Sequence, residues 1–256
     1  MKHYLLIITV LFLLTAAEKT FCQDNLSDDM KDAITSVHTA YIENDFKAFM
    51  QNHSYFERVL SMEPENALAR YYMAYIEYRL LQFSQSDPKL DVEKYYDSGL
   101  DICRQLLDKK QLVPETETLM AGFYMMRLAT NQMEAVALTP KIFELVADAE
   151  AAPENNPRPL IVKGIMLLNM PPMFGGSVEK AIESFSKAAS MYEEEKAVKP
   201  IRWGYEETLA WLGQAYEKNN QIDKARETYE KALKLEPEFR WVKYRLLPAL
   251  DQNKQN

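Results

Sequence analysis

Glycine is scarce in this chain, with only 7 among 256 residues. Because glycine supplies the positive-φ backbone of tight hairpin turns, its scarcity disfavours a turn-rich β fold. Residues with good helix propensity, including 13 Met and many Ala, Leu, Glu and Lys, fill the sequence instead. The composition therefore predicts an all-α protein.

Long apolar runs are also missing after the amino terminus, where no stretch approaches the roughly 20 apolar residues of a membrane helix. The first segment has a short basic start at Lys2, an apolar run from Leu5 to Leu14, and small residues after it. This pattern is typical of a secretory signal peptide. We therefore predict a signal peptide over 1–22 and one exported domain over 23–256, periplasmic or secreted.

Cysteine is nearly absent, with Cys22 and Cys103 the two in the sequence. Signal cleavage after Ala17 or after Cys22 is compatible with the residues present. A lipid anchor at Cys22 is disfavoured because bulky and charged residues, rather than small ones, directly precede it. Cys103 lies among leucines, as a small core residue would.

Positive charge is in deficit: the formal net charge is −8, and no basic run occurs. Because nucleic acids and anionic membranes are bound through clustered Lys and Arg, both are disfavoured as partners. A cationic peptide remains compatible with this charge.

Histidine is also rare, and of the three, His3 would leave with the signal peptide. His38 and His53 are 15 residues apart without Cys or carboxylates at metal-ligand spacing, so each is expected half-exposed on a helix. No catalytic residue, metal site or cofactor is therefore predicted. An enzyme that uses His53 or Cys103 is kept as a competing hypothesis.

A pattern of small and aromatic residues occupies the segment from Glu206 to Phe239. Its members are Leu209, Leu212, Gly213, Tyr216, Ala225, Tyr229, Ala232 and Pro237. Gly213 and Ala225 would allow two antiparallel helices to approach, while the aromatic rings fill the space around their crossing. These residue types and spacings resemble the tetratricopeptide repeat of about 34 residues.

Weaker copies of the pattern lie upstream, for example Gly164 followed by Ala181 and Phe185. The resemblance implies a right-handed α-solenoid of about five antiparallel helix hairpins and a carboxyl-terminal capping helix. The predicted hairpins are 27–61, 66–110, 114–151, 157–193 and 204–235, followed by a closing helix at 237–251. In the third, Pro140 looks like a helix start, so residues 131–139 are expected to form an irregular connection.

A long loop interrupts the fourth hairpin at Pro171 to Ser177. With the helix after it, this loop resembles tetratricopeptide proteins associated with periplasmic tripartite transporters, and a related group linked to microtubule dynamics. Its two glycines are interpreted as a sharp turn, and Ser177 as the cap of the helix that begins at Val178. A phosphate site is disfavoured because the loop follows a helix and lacks a Gly-Lys-Ser/Thr ending.

In tetratricopeptide proteins the first helices of successive hairpins line a concave groove that takes extended peptides or helices. The resemblance therefore implies groove candidates at Tyr71, Tyr75, Tyr78, Met125, Gln214 and Glu217. Tyrosines at helical spacing also occur in helix cores, and so do methionines. The alternative that these tyrosines and Met125 belong to the core therefore stays open.

The leading hypothesis is an exported, non-catalytic scaffold that binds a protein or peptide in this groove. Its rival is a transporter-associated accessory protein that holds a small ligand or docks a solute-binding protein.

Overall fold

The computed structural model describes residues 26–83, 90–153, 155–194 and 200–253. The predicted signal peptide over 1–22 and the possible lipid anchor at Cys22 lie outside these residues and stay predictions. Among the helices described, none combines the length and apolarity that crossing a membrane would require.

Helices form all the regular structure in the described ranges, where no strand occurs. They are α1 Asp28–Ile42, α2 Phe46–Met62, α3 Ala67–Leu81, α4 Val92–Asp108, α5 Val113–Thr130, α6 Ala135–Ala151, α7 Arg158–Asn169, α8 Val178–Glu194, α9 Tyr205–Lys218, α10 Ile222–Leu235 and α11 Leu247–Asn253. A π-helical turn, Val242–Leu246, leads directly into α11. Successive helices pack as five antiparallel hairpins followed by the closing helix, so the predicted α-solenoid is confirmed.

The first four helices begin at side-chain caps. Ser27, Asp45, Asn66 and Asp91 each accept a hydrogen bond from the backbone N–H three residues later. Such a cap satisfies an N–H group that has no partner within the helix. These helix starts are therefore determined by residues local in the sequence.

The third hairpin differs from the prediction. Residues 131–139 do not form an irregular connection: a short 3-10 turn, Gln132–Glu134, leads into α6, which begins at Ala135 and contains Pro140. A proline inside a helix leaves the carbonyl one turn earlier without its partner. Here that carbonyl belongs to Val136, whose exposure of 89% allows water to satisfy it.

Close helix crossings occur where the repeat pattern placed glycine. A Cβ added to Gly213 would collide with the ring of Tyr229, and one added to Gly164 would lie 2.5 Å from the ring of Phe185. These rings and the backbones of α7 and α9 are therefore in direct contact. The spacing interpreted from the sequence is confirmed in both hairpins.

The solenoid curves far enough for its first helices to contact its last hairpin. Ile42 shares one buried apolar cluster with Leu209 and Phe239, and the rings of Tyr41 and Phe239 lie 5.6 Å apart. Here α1 and α3 meet α9 and α10, and we call this contact the seam. The seam closes one part of the concave face.

Candidate functional site

The tyrosine stripe of α3 lies in the core. Tyr71 and Tyr75 are 0% and 1% exposed, and Tyr78 is half-buried with its ring against Phe123 at 5.7 Å. Burial raises the pKa of Tyr78 to about 12. Tyr71 and Tyr75 therefore pack in the core in this conformation, where neither is free to contact a partner.

Part of the chain itself covers these tyrosines. Residues 200–203, between α8 and α9, have no helical structure, and we call them the inserted segment. The hydroxyl of Tyr72 donates to the carbonyl of Pro200 at 2.9 Å and accepts from the N–H of Arg202 at 3.2 Å. The backbone of the inserted segment is thus bound by α3 as a foreign extended peptide would be.

Trp203 anchors the inserted segment. Its indole N–H donates to the hydroxyl of Tyr71 at 2.8 Å, and its ring stacks on Tyr75 with centroids 5.3 Å apart. The guanidinium of Arg158 donates to the carbonyl of Ile201. Because each contact joins the segment to buried side chains, this part of the concave face is filled.

A buried ion pair lies beside the inserted segment at the seam. The guanidinium of Arg79 donates to both carboxylate oxygens of Glu207, with the longer contact at 3.1 Å. It also lies over the rings of Tyr41 and Tyr75, 4.3 Å and 4.9 Å from their centroids. Burial disfavours the charged guanidinium and is the largest single effect on its pKa, but the carboxylate of Glu207 together with Tyr75 and Tyr41 outweighs it, so the pKa of Arg79 is raised.

Two of the predicted groove residues line an open cleft elsewhere. The cleft has a volume of about 510 Å³ and is lined by Gln214, Glu217, Lys218, Ile222, Leu246 and Ala249. It lies between α9, the start of α10 and the closing helix. Ile222, Leu246 and Ala249 supply apolar surface, and the α9 residues supply polar groups.

Hydrogen bonding in the cleft is incomplete. The hydroxyl of Tyr229 donates to the carboxylate of Glu217 at 3.3 Å, and the ammonium of Lys218 donates to the carbonyl of Leu168 at 2.6 Å. The amide nitrogen of Gln214, in contrast, is buried and has no hydrogen-bond partner within the described residues. A buried donor without an acceptor is costly, so rotating this amide toward the cleft would be favourable if a ligand brought a carbonyl oxygen there.

The six predicted groove residues do not form one surface. Met125 is half-buried on α5 and packs against the main core, away from the residues that line the cleft. The predicted site is therefore divided into a filled part at Tyr71 and Tyr75 and an open part at Gln214 and Glu217.

Comparisons with known proteins agree with this arrangement of paired helices. A family model described as tetratricopeptide repeat matches residues 206–239, which cover α9 and α10. The chain superposes on a thermophilic tetratricopeptide repeat protein of Thermus thermophilus with a TM-score of 0.61 at 16% identity, covering 86% of this chain and 98% of that one. The fold is that of a tetratricopeptide repeat protein.

Two other solved structures also superpose on this chain. The HusA haemophore of Porphyromonas gingivalis gives a TM-score of 0.64 at 18% identity, covering 77% of this chain and 96% of the haemophore. A chain of the APC/C hetero-tetramer Cut9–Hcn1 gives 0.54 at 17% identity, covering 81% of this chain and 34% of that one. None of the curated proteins matches the sequence significantly.

The two histidines in the described part of the chain depart from the expectation of half-exposure in one case. His53 is buried, and its Nε2 lies 3.2 Å from the carboxylate of Glu77, which also accepts from the hydroxyl of Ser98 at 2.9 Å. His38 is half-buried as expected, with its Nε2 3.2 Å from Glu236. Spacing along the sequence missed both carboxylates because Glu77 lies on α3 and Glu236 directly follows α10.

Cys103 is fully buried on α4. Burial raises the pKa of its thiol, so the reactive thiolate is disfavoured. We expect the folded protein to alkylate at Cys103 at least about ten-fold more slowly than the denatured chain. Mass spectrometry of the Cys103 peptide after timed treatment with N-ethylmaleimide measures this, and equal rates in both states would instead indicate an accessible nucleophile.

The loop of the fourth hairpin has the predicted local structure. Gly175 has a φ of +97°, which permits the sharp turn. The hydroxyl of Ser177 accepts from the N–H of Lys180 at 3.2 Å, which caps α8. Met173 and Phe174 are exposed at the tip of this loop, and its proposed role beside a transporter stays a prediction.

Proposed function

We propose that this chain is an exported scaffold that binds an extended peptide segment of a partner protein in the cleft between α9 and the closing helix. The observation that carries the proposal is the cleft itself, which combines about 510 Å³ of space with an apolar wall and a buried amide that lacks an acceptor. The tetratricopeptide repeat fold supports protein binding as the general role. Export rests on the amino-terminal sequence pattern.

The lining of the cleft indicates the kind of peptide. Ile222 and Leu246 would contact an apolar side chain, and the amide of Gln214, once rotated toward the cleft, would donate to a backbone carbonyl. Glu217 and Lys218 give the lining one charge of each sign, so the cleft itself sets no charge preference. The net charge of −8 attracts cationic partners at long range and favours a peptide that also carries Lys or Arg.

Random peptides displayed on phage, selected on the immobilised chain, provide a probe for this cleft. We expect enrichment of peptides that combine apolar and basic residues. The substitution Ala249→Arg places a long cationic side chain in the cleft from an exposed position on α11. It should weaken binding of the selected peptides at least about ten-fold, measured by fluorescence anisotropy, since a clash and a like charge are both introduced.

Ala147→Arg is the matched control, because Ala147 is an exposed alanine on α6, far from the cleft along the chain. It adds the same side chain and charge, so peptide affinity should stay within about two-fold of the original. If the peptides lost affinity equally for both variants, the loss would be a general effect of charge. The cleft would then not be the binding site.

Haem capture is a second candidate, because the superposition covers 96% of the HusA haemophore. None of the residues that line the cleft is His, Cys or Met, so a porphyrin would be held there by apolar contact. Titration with haemin, followed by the Soret absorbance, separates the two candidates. A saturable Soret shift that Ala249→Arg abolishes would favour haem, and an unchanged spectrum favours the peptide.

A further inference from the structure

Three potential metal-ligating side chains meet at the seam. His38 comes from α1, Glu206 from the first turn of α9, and Glu236 directly follows α10. One ligand atom from each residue lies within 4.8 Å of the other two. The seam therefore collects one imidazole nitrogen and two carboxylates from α1, the first turn of α9 and the residue after α10.

The spacing of these atoms suits a single small cation. Two ligands that bind a tetrahedral ion at about 2.0–2.1 Å are separated by about 3.3 Å from each other. The distance from Nε2 of His38 to Oε1 of Glu236 is 3.2 Å, already in this range. Glu206 has an oxygen within 4.8 Å of both of these atoms, so it would have to move closer to complete a tetrahedral set.

Electrostatics at this position favour an added positive charge. Glu207 is already bound to Arg79, whereas the carboxylates of Glu206 and Glu236 both face the imidazole of His38. With His38 neutral, the three side chains carry a charge of −2, which a divalent ion would balance.

We propose that His38, Glu206 and Glu236 bind a divalent transition-metal ion of the Zn²⁺ type. The donor set decides the class, because imidazole together with carboxylate suits Zn²⁺, whereas Mg²⁺ and Ca²⁺ prefer oxygen ligands alone. The half-buried position leaves room for water as a fourth ligand. Such an ion would connect α1 directly to α9 and α10 and hold the seam closed.

Isothermal titration of the chelator-treated full chain with Zn²⁺ tests the proposal. We expect one ion per chain at this site and binding at least ten-fold weaker in Glu206→Gln and in His38→Gln. Co²⁺ as a second probe should give visible absorption bands of a site with a nitrogen ligand, and both variants should lose them. Zn²⁺ should also raise the melting temperature of the original protein but not of the variants.

Glu227→Gln is the matched control, since Glu227 is an exposed carboxylate on α10 and its loss changes the net charge equally. This variant should bind Zn²⁺ as the original protein does. Circular dichroism establishes that each variant keeps its helices. Equal affinity in all four proteins, absence of binding, or binding of Mg²⁺ as tight as that of Zn²⁺ would overturn the proposal.

Discussion

Replacing Arg79 by Met is expected to lower the free energy of unfolding by about 3–5 kcal/mol, because a buried carboxylate then loses its partner. Arg79 is fully buried and Glu207 is 5% exposed, so water cannot replace the two hydrogen bonds between them. The cation–π contacts with Tyr41 and Tyr75 disappear as well. Chemical denaturation followed by circular dichroism measures the loss.

Arg127→Met is the matched control, since Arg127 forms the same two-bond contact with Glu93 at the surface. Glu93 is 64% exposed at its side chain, so this pair should contribute less than about 1 kcal/mol. Adding Glu207→Leu to Arg79→Met should recover part of the stability by removing the unpaired charge. Equal losses in the two single variants would show that the seam opens to water.

The hairpins could be predicted because their determinants are local. Gly213 with Tyr229, and Gly164 with Phe185, lie within one hairpin each, so their spacing along the chain encodes their contact. At Pro140 the local rules for a helix start and for a helix interior conflict, and the helix start predicted there was wrong. A carbonyl exposed to solvent tolerates the proline, and exposure could not be read from the sequence.

Whether the groove is open or filled could not be predicted, because this depends on contacts between distant parts of the chain. Tyr72 and Arg202, which bond directly, are 130 residues apart, and His38 and Glu236 are 198 apart. Such pairs are brought together by the curvature of the whole solenoid. The family resemblance is strong in one hairpin, and from it we could predict which positions of each hairpin's first helix face the groove. It could not show whether another segment of the chain covers those positions.

The inserted segment therefore has a functional consequence. It gives the tyrosines of α3 the hydrogen bonds and the aromatic stacking that a partner peptide would otherwise supply. A partner could reach Tyr71 and Tyr75 only by displacing Trp203 and its contacts. Binding is thus expected in the cleft, where no segment of the described chain fills the space.

Tyr75→Ala gives the second large effect and tests this division of the concave face directly. Tyr75 is 1% exposed, stacks on Trp203 and lies under the guanidinium of Arg79. Truncating a buried aromatic side chain leaves a cavity and costs about 3–5 kcal/mol. We therefore expect a loss of this size in the free energy of unfolding, measured by denaturant titration.

The control is Tyr244→Ala, which removes a ring that is 57% exposed beside the closing helix and should cost less than about 1 kcal/mol. Peptides selected on the original protein should bind the folded Tyr75→Ala variant as tightly as before, because the cleft does not include Tyr75. If Tyr75→Ala instead left stability unchanged and weakened the peptides, the inserted segment would be readily displaced. The tyrosine stripe would then belong to the binding surface.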